Sequence, residues 1–191
     1  MAHSMADNDT SDIPTRGCVV IAGVIVALLG VSFAVLVILG RGASERQRAA
    51  RVESQFNDAQ GRSSAHVFME PEVINKLAED EESAEALVEL YLSSINFRDV
   101  DVASVNKLAK VKKVYIYSCS HAEDFLRALQ GSHAIEELSF DTIVLNDDGF
   151  HLLATFPNLR KVCFTYIADK NRVDQLRATI PNVVVEVDET D

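Results

Sequence analysis

The sequence predicts an α/β chain in which short parallel strands alternate with short helices behind one apolar segment. Three observations carry that prediction. Residues 18–40, CVVIAGVIVALLGVSFAVLVILG, hold no charge between Arg16 and Arg41. Further on, apolar residues recur at a displacement of 24 positions through four consecutive units. Each unit joins alternating apolar residues, the pattern of a strand with one buried face, to a polar turn and a segment of helical apolar period.

Residues 1–17 are small, polar and acidic, and read as a disordered tail. The apolar segment that follows would make about 34 Å of α-helix, enough to cross a hydrocarbon core of about 30 Å. Its length exceeds the apolar core of a cleaved signal peptide, and its amino side carries Asp7, Asp9 and Asp12 against Arg16 alone. Arg41, Arg46, Arg48 and Arg51 follow it, and basic residues near a span favour the cytoplasmic side. The expectation is a single-pass membrane protein, held in a lipid bilayer through residues 18–40, with the larger domain in the cytoplasm.

Residues 41–64 read as a juxtamembrane helical spacer with one thin apolar stripe, Val52 and Phe56, and a break from Gly61 to Ser64. Its arginines could meet acidic lipid headgroups. Residues 65–89 read as an N-terminal cap and the start of the first unit. Pro71 is suited to begin a helix that gathers Val73, Ile74 and Leu77 on one side. The run Glu79, Asp80, Glu81, Glu82 reads as a solvated acidic turn, since it lacks the spaced oxygen ligands and the glycine of a calcium loop.

Residues 90–191 carry the recurrence. Leu87, Leu90 and Leu92 align with Val111, Val114 and Ile116, then with Ile135, Leu138 and Phe140, then with Leu159, Val162 and Phe164. The next position keeps register as Ile95, Cys119, Ile143 and Ile167. One such unit cannot bury its own apolar face, so each leans on its neighbour. The segments VASVNKL, AEDFLRAL, DGFHLLATF and RVDQLRATI supply the helical pieces, with Asp147 and Asp148 as expected caps of the third. Near the end the register slips, since Glu186 falls where Val162 would recur. A frayed terminal strand with a different pairing is expected there.

A period of this length with L-x-x-L-x-L units resembles the leucine-rich repeats. Thr142, Asp147 or Asp148, Gly149, Leu152 or Leu153, Pro157 and Leu159 match the 24-residue subtype of many bacterial proteins and of the cysteine-containing repeats in F-box substrate receptors. Cys119 stands where that subtype has Cys or Asn, and Pro181 repeats Pro157. The chain departs from the family in its asparagine ladder, replaced by Ile95, Ile143 and Ile167, and no F-box is found in residues 41–86. The resemblance implies a short leucine-rich-repeat solenoid, parallel strands on its concave face, and protein binding on that face.

The formal net charge is -11, and -9 of it lies beyond residue 40, which argues against recognition of nucleic acid through its phosphates. Cys18, Cys119 and Cys163 form neither a disulfide framework nor a metal quartet. His3, His66, His121, His133 and His151 lack any H-E-x-x-H or C-x-x-C context, so no catalytic, metal or cofactor site is assigned and an enzyme is not expected. His121 lies close to Cys119 in sequence, but that cysteine reads as packed structure. On the expected concave face, Tyr91, Lys113, Tyr115, Tyr117, Glu137, Asp141, Lys161 and Thr165 are the candidate protein-binding residues, tyrosines beside charges of both signs. Cys163 is the thiol expected to face solvent. The function expected is a membrane-anchored scaffold or adaptor that binds another protein. The alternative is an accessory membrane subunit that associates through Ala22, Gly23, Ala27 and Gly30 of the span, without a G-x-x-x-G motif.

Overall fold

The computed structural model describes residues 41, 43–165 and 170–188. The chain divides into two units, Met1–Gln47 and Arg48–Asp191. In the first, residues 41 and 43–47 are helical. The second begins with helical residues 48–59 (α1) and continues as an alternating α/β fold. Its strands are β1 (Ser64–Phe68), β2 (Glu89–Ser93), β3 (Lys113–Tyr117), β4 (Glu137–Asp141), β5 (Lys161–Phe164) and β6 (Val184–Val187). Between them run α2 (Glu72–Glu79), α3 (Glu81–Ala86), a 3-10 turn (Phe97–Asp99), α4 (Val102–Val105), α5 (Ala122–Ala128), α6 (Asp147–Leu153) and α7 (Lys170–Thr179).

All six strands are parallel and lie in sequence order, β1-β2-β3-β4-β5-β6. Crossovers between parallel strands are right-handed for steric reasons, and helices change face only where the strand order reverses. Here it never reverses, so among the described residues the helices cover one sheet face and leave the other open. The burial pattern agrees: alternate residues such as Leu90 and Leu92, Val114 and Ile116, Leu138 and Phe140 are buried, while those between them are half-buried or exposed. From the covering side Ile74, Leu77, Val105, Leu126 and Leu153 complete the core, and Phe97 stacks on Phe125 with ring centroids 4.6 Å apart. Val52 and Ala59 bring α1 into the same core.

The strand registers explain where the sequence pattern is regular and where it is not. Glu89, Lys113, Glu137 and Lys161 pair in turn at the 24-residue displacement. The first pairing needs one residue more, Ser64 with Glu89, and the last needs one fewer, Lys161 with Val184. The slip at the C-terminus is therefore not fraying. A shorter crossover keeps Val185 opposite Val162 and buried, and β6 joins the same parallel ladder. β1 is a further strand, at the head of a segment expected to cap the array and begin its first unit.

Two larger expectations are corrected. The fold that stands is an alternating α/β fold with a parallel six-stranded sheet, in place of a leucine-rich-repeat solenoid. A solenoid is defined by curvature, and the ladders establish a sheet. The expected transmembrane helix over residues 18–40 lies outside the described residues. Among the described residues no helix is long and apolar enough to cross a membrane. The fold therefore has no preceding membrane helix in its description, and neither bilayer association nor single-pass localisation with a cytoplasmic domain has structural support.

Local sequence explains the crossovers. Pro71 precedes α2 with φ −60°, the value its ring imposes, and Val73, Ile74 and Leu77 are fully buried. Asp80 closes α2 and caps α3, its carboxylate accepting from the Ser83 N–H at 3.0 Å. In α6 the cap is Asn146, which accepts from the Gly149 N–H at 2.9 Å, whereas Asp147 and Asp148 occupy the first turn. Those aspartates sit where the helix dipole favours negative charge but do not cap.

Candidate interaction surface on the open sheet face

Because side chains alternate along a strand and register is kept across the sheet, the open face carries three rows running perpendicular to the strands. The first contains Glu89, Lys113, Glu137 and Lys161, alternating in sign. The second contains His66, Tyr91, Tyr115, Ser139, Cys163 and Glu186. The third contains Phe68, Ser93, Tyr117 and Asp141, with Thr165 just beyond the end of β5.

The second row begins as a column of rings. His66 stacks on Tyr91 with centroids 4.3 Å apart, and Tyr91 on Tyr115 at 4.4 Å, each pair within 5° of parallel. Those distances match the spacing of neighbouring strands, about 4.8 Å, so the backbone ladder presents the rings as rungs. Each stacked pair is worth about 1 kcal/mol beyond the area it buries. Beside the column Phe68 and Tyr117 are about half exposed, at 53% and 51%, and Met69 follows at the strand end with 55%. His66, Tyr91, Tyr115, Phe68, Ser93 and Tyr117 line a shallow depression of about 330 Å³.

The charges of the first row hold the column upright. Lys113 Nζ meets Glu89 Oε1 at 2.8 Å, and the Tyr91 hydroxyl donates to Glu89 Oε2 at 3.1 Å. The hydrogen bond from Lys113, and after it that from Tyr91, holds the Glu89 carboxyl below the usual glutamate range. Burial, then the hydrogen bond to Glu89, pushes the Tyr91 hydroxyl up to about 12. Burial and the negative charge of Glu137 raise that of Tyr115. At the other end Lys161 Nζ meets Glu186 Oε2 at 2.8 Å, which lowers the glutamate and raises the lysine.

Tyr91, Lys113, Tyr115, Tyr117, Glu137, Asp141 and Lys161 thus share one open face, with Thr165 at its rim. Sequence reasoning missed His66, Phe68 and Met69. The alternation of Ala65 and Val67, both buried, was the available signal, but it lies in a segment without the L-x-x-L-x-L frame.

Both cysteines among the described residues make contacts within the fold. Cys119 Sγ accepts from the Ile95 N–H at 3.3 Å and donates to the Tyr117 carbonyl at 3.3 Å, tying neighbouring turns together. Burial pushes its thiol up. His121 takes a left-handed conformation, φ 58°, at the start of α5. Cys163 lies 3.5 Å from Glu186 Oε2, and burial again raises the thiol, against the opposing pull of Lys161. Among the described residues no group of three His, Cys, Asp or Glu is placed to hold a metal ion.

Fold and surface together define a class: a parallel α/β module with one helix-covered sheet face and one open face bearing an aromatic column. No protein-family model and no characterised protein matches this chain. Membership of the leucine-rich-repeat family, which the residue pattern implied, accordingly does not stand. The membrane-anchored scaffold and the accessory subunit both rested on the apolar span, and both fall with the lack of a membrane-spanning helix in the described fold.

Proposed function

We propose that this protein acts by binding another protein on the open face of its sheet, anchored at His66, Tyr91 and Tyr115. The observation that carries this reading is the aromatic column itself, left uncovered beside the exposed Phe68 and Tyr117 and rimmed by charges of both signs. Large rings bury much area at little cost in side-chain entropy, and a polar rim excludes water around them. What supports binding at this face is the engagement of His66 in the same stack as Tyr91 and Tyr115.

The test is site-specific photo-crosslinking of the full chain in its native cells, with a photoreactive phenylalanine at Tyr117 or, as a control, at the exposed Gln130 beyond α5. The expected result is a discrete adduct from Tyr117, none from Gln130, and loss of the adduct when Tyr91→Ala and Tyr115→Ala are combined. Equal labelling from both positions, or an adduct indifferent to the two alanines, would overturn the reading.

A further inference from the structure

The column of rings stops abruptly. Tyr91 covers one side of the Tyr115 ring, while the register neighbour on the other side is Ser139, whose side chain is too short to form the next rung. The ring planes stack across the strands, so the side of Tyr115 away from Tyr91 looks over Ser139 toward Cys163, and among the described residues no further ring stacks on it. This leaves a slot one rung wide for a flat group.

The electrostatics of the slot select among flat groups. Glu137 adjoins it from the first row and Asp141 from the third. Lys113 and Lys161 flank Glu137 across the sheet, but each turns to a different carboxylate, Glu89 and Glu186. Among the described residues Glu137 makes no ion pair of its own. Counted over the strands of this face, the four carboxylates of Glu89, Glu137, Asp141 and Glu186 stand against two lysines. The negative charge of Glu137 is also felt at the Tyr115 hydroxyl.

We infer that the slot over Ser139 receives an arginine side chain of the partner protein, its guanidinium stacked on Tyr115 and hydrogen-bonded to Glu137. A guanidinium is planar, stays charged, stacks on aromatic faces and presents paired N–H donors to a carboxylate. An ammonium group offers no plane to continue the column, and a neutral ring gains nothing from the carboxylates of Glu137 and Asp141. The inference rests on the docking face proposed above and adds the chemistry of its central contact.

The probes are blocked pentapeptides, acetyl-Gly-Ser-X-Ser-Gly-amide with X as Arg, Lys or Phe, titrated into the full chain while the Ser139 amide and the Tyr115 ring are followed by NMR. The arginine peptide is expected to bind at least fivefold more tightly than the other two, shifting both signals. Glu137→Gln should weaken it by about fivefold. Ser139→Phe, which fills the slot with a further rung, should abolish the Ser139-centred response while leaving the dispersion of the spectrum intact. Equal binding of arginine and lysine peptides, preference for phenylalanine, or indifference to Glu137→Gln would overturn the inference. If the arginine peptide fails while the Tyr117 crosslink persists and still depends on Tyr91 and Tyr115, the slot chemistry is wrong and the docking face survives. Failure of both removes both.

Discussion

Arg51 grips the carboxylate of Glu70 with both Nε, at 2.8 Å, and Nη2, at 2.7 Å, and Glu70 is only 2% exposed. Arg48 completes the clamp through its Nε at 3.0 Å. The arginine stems lie on α1, and the glutamate lies in the turn between β1 and α2, so the contact fastens the first helix of the module to its first strand. Two half-exposed cations hold one buried anion, which makes the arrangement asymmetric under mutation. Removing both arginines strands a buried carboxylate, whereas removing the Glu70 charge leaves Arg51 half-exposed to water and Arg48 still paired with Glu72 at 2.6 Å. Arg48→Ala combined with Arg51→Ala is expected to cost about 3 kcal/mol. Glu70→Gln should cost less than half of that, because no buried charge remains. Urea unfolding of the three proteins checks the order, and equal costs would show that packing rather than charge burial governs the joint.

The stacked column makes a spectroscopic prediction. The Tyr91 hydroxyl is pushed up to about 12 by burial and by its bond to Glu89, and Tyr115 is raised as well. A phenol whose folded value is raised stabilises the fold fully below its ordinary value of 10.0 and loses that contribution as pH climbs through the folded value. Absorbance titration of the tyrosinates should therefore show a component delayed toward pH 12 and accompanied by alkaline loss of structure. Tyr91→Phe should remove that component. Glu89→Gln should move it to lower pH, since the negatively charged acceptor is gone. A titration in which every tyrosine ionises together near 10 would contradict the stacked, bonded geometry.

Much of this architecture was legible in the residues, for a physical reason. Strands with one buried face must alternate, and Leu90, Val114, Leu138 and Val162 do so at a constant displacement because their neighbours pair in register. The open-face tyrosines followed directly from that alternation. β1 was hidden, and β6 was expected as a strand but with a different pairing, because their displacements differ by one residue in opposite directions, which breaks the frame without breaking the ladder. The Glu70 clamp was hidden because a glutamate among acidic residues reads as solvated until its partners from α1 are brought over it. Family membership was over-read: a recurring apolar spacing reports parallel strands stacked on one another, and that requirement is broader than any one repeat family.

A periodic feature of the turns was equally invisible. Met69, Ser94, Ser118 and Thr142, each just after one of the first four strands, take positive φ values of 61°, 55°, 50° and 56°. None is glycine, so no residue type marks the bend. Thr142 is the most strained, because a β-branched side chain crowds the backbone in the left-handed region. Thr142→Gly is expected to stabilise the protein by about 1 kcal/mol, the relief of strain exceeding the added freedom of the unfolded chain. Ser118→Gly should gain less. Denaturation midpoints at unchanged slope give the comparison, and a loss of stability at Thr142→Gly would show that its hydroxyl bond to Asp141, 2.9 Å, outweighs the strain.

The acid limit of stability follows from the carboxylates that the lysines hold. Glu89, Glu136 and Glu186 are each lowered from 4.5, first by hydrogen bonds from Lys113, Lys112 and Lys161 respectively. A carboxylate with a depressed folded value contributes its stabilisation above 4.5 and loses it as pH falls through the folded value. The melting temperature should therefore decline below pH 4.5, with a slope set by the number of such groups. Glu89→Gln removes one of them, so its acid limb should be shallower than that of the parent protein while its stability at neutral pH is lower. Salt should flatten the limb of both proteins, since these pairs are solvent-accessible and screened. Superimposable acid limbs would mean that Lys113 and Glu89 do not stay paired in solution. The upright position of Tyr91, which shares that glutamate, would then have to come from stacking alone.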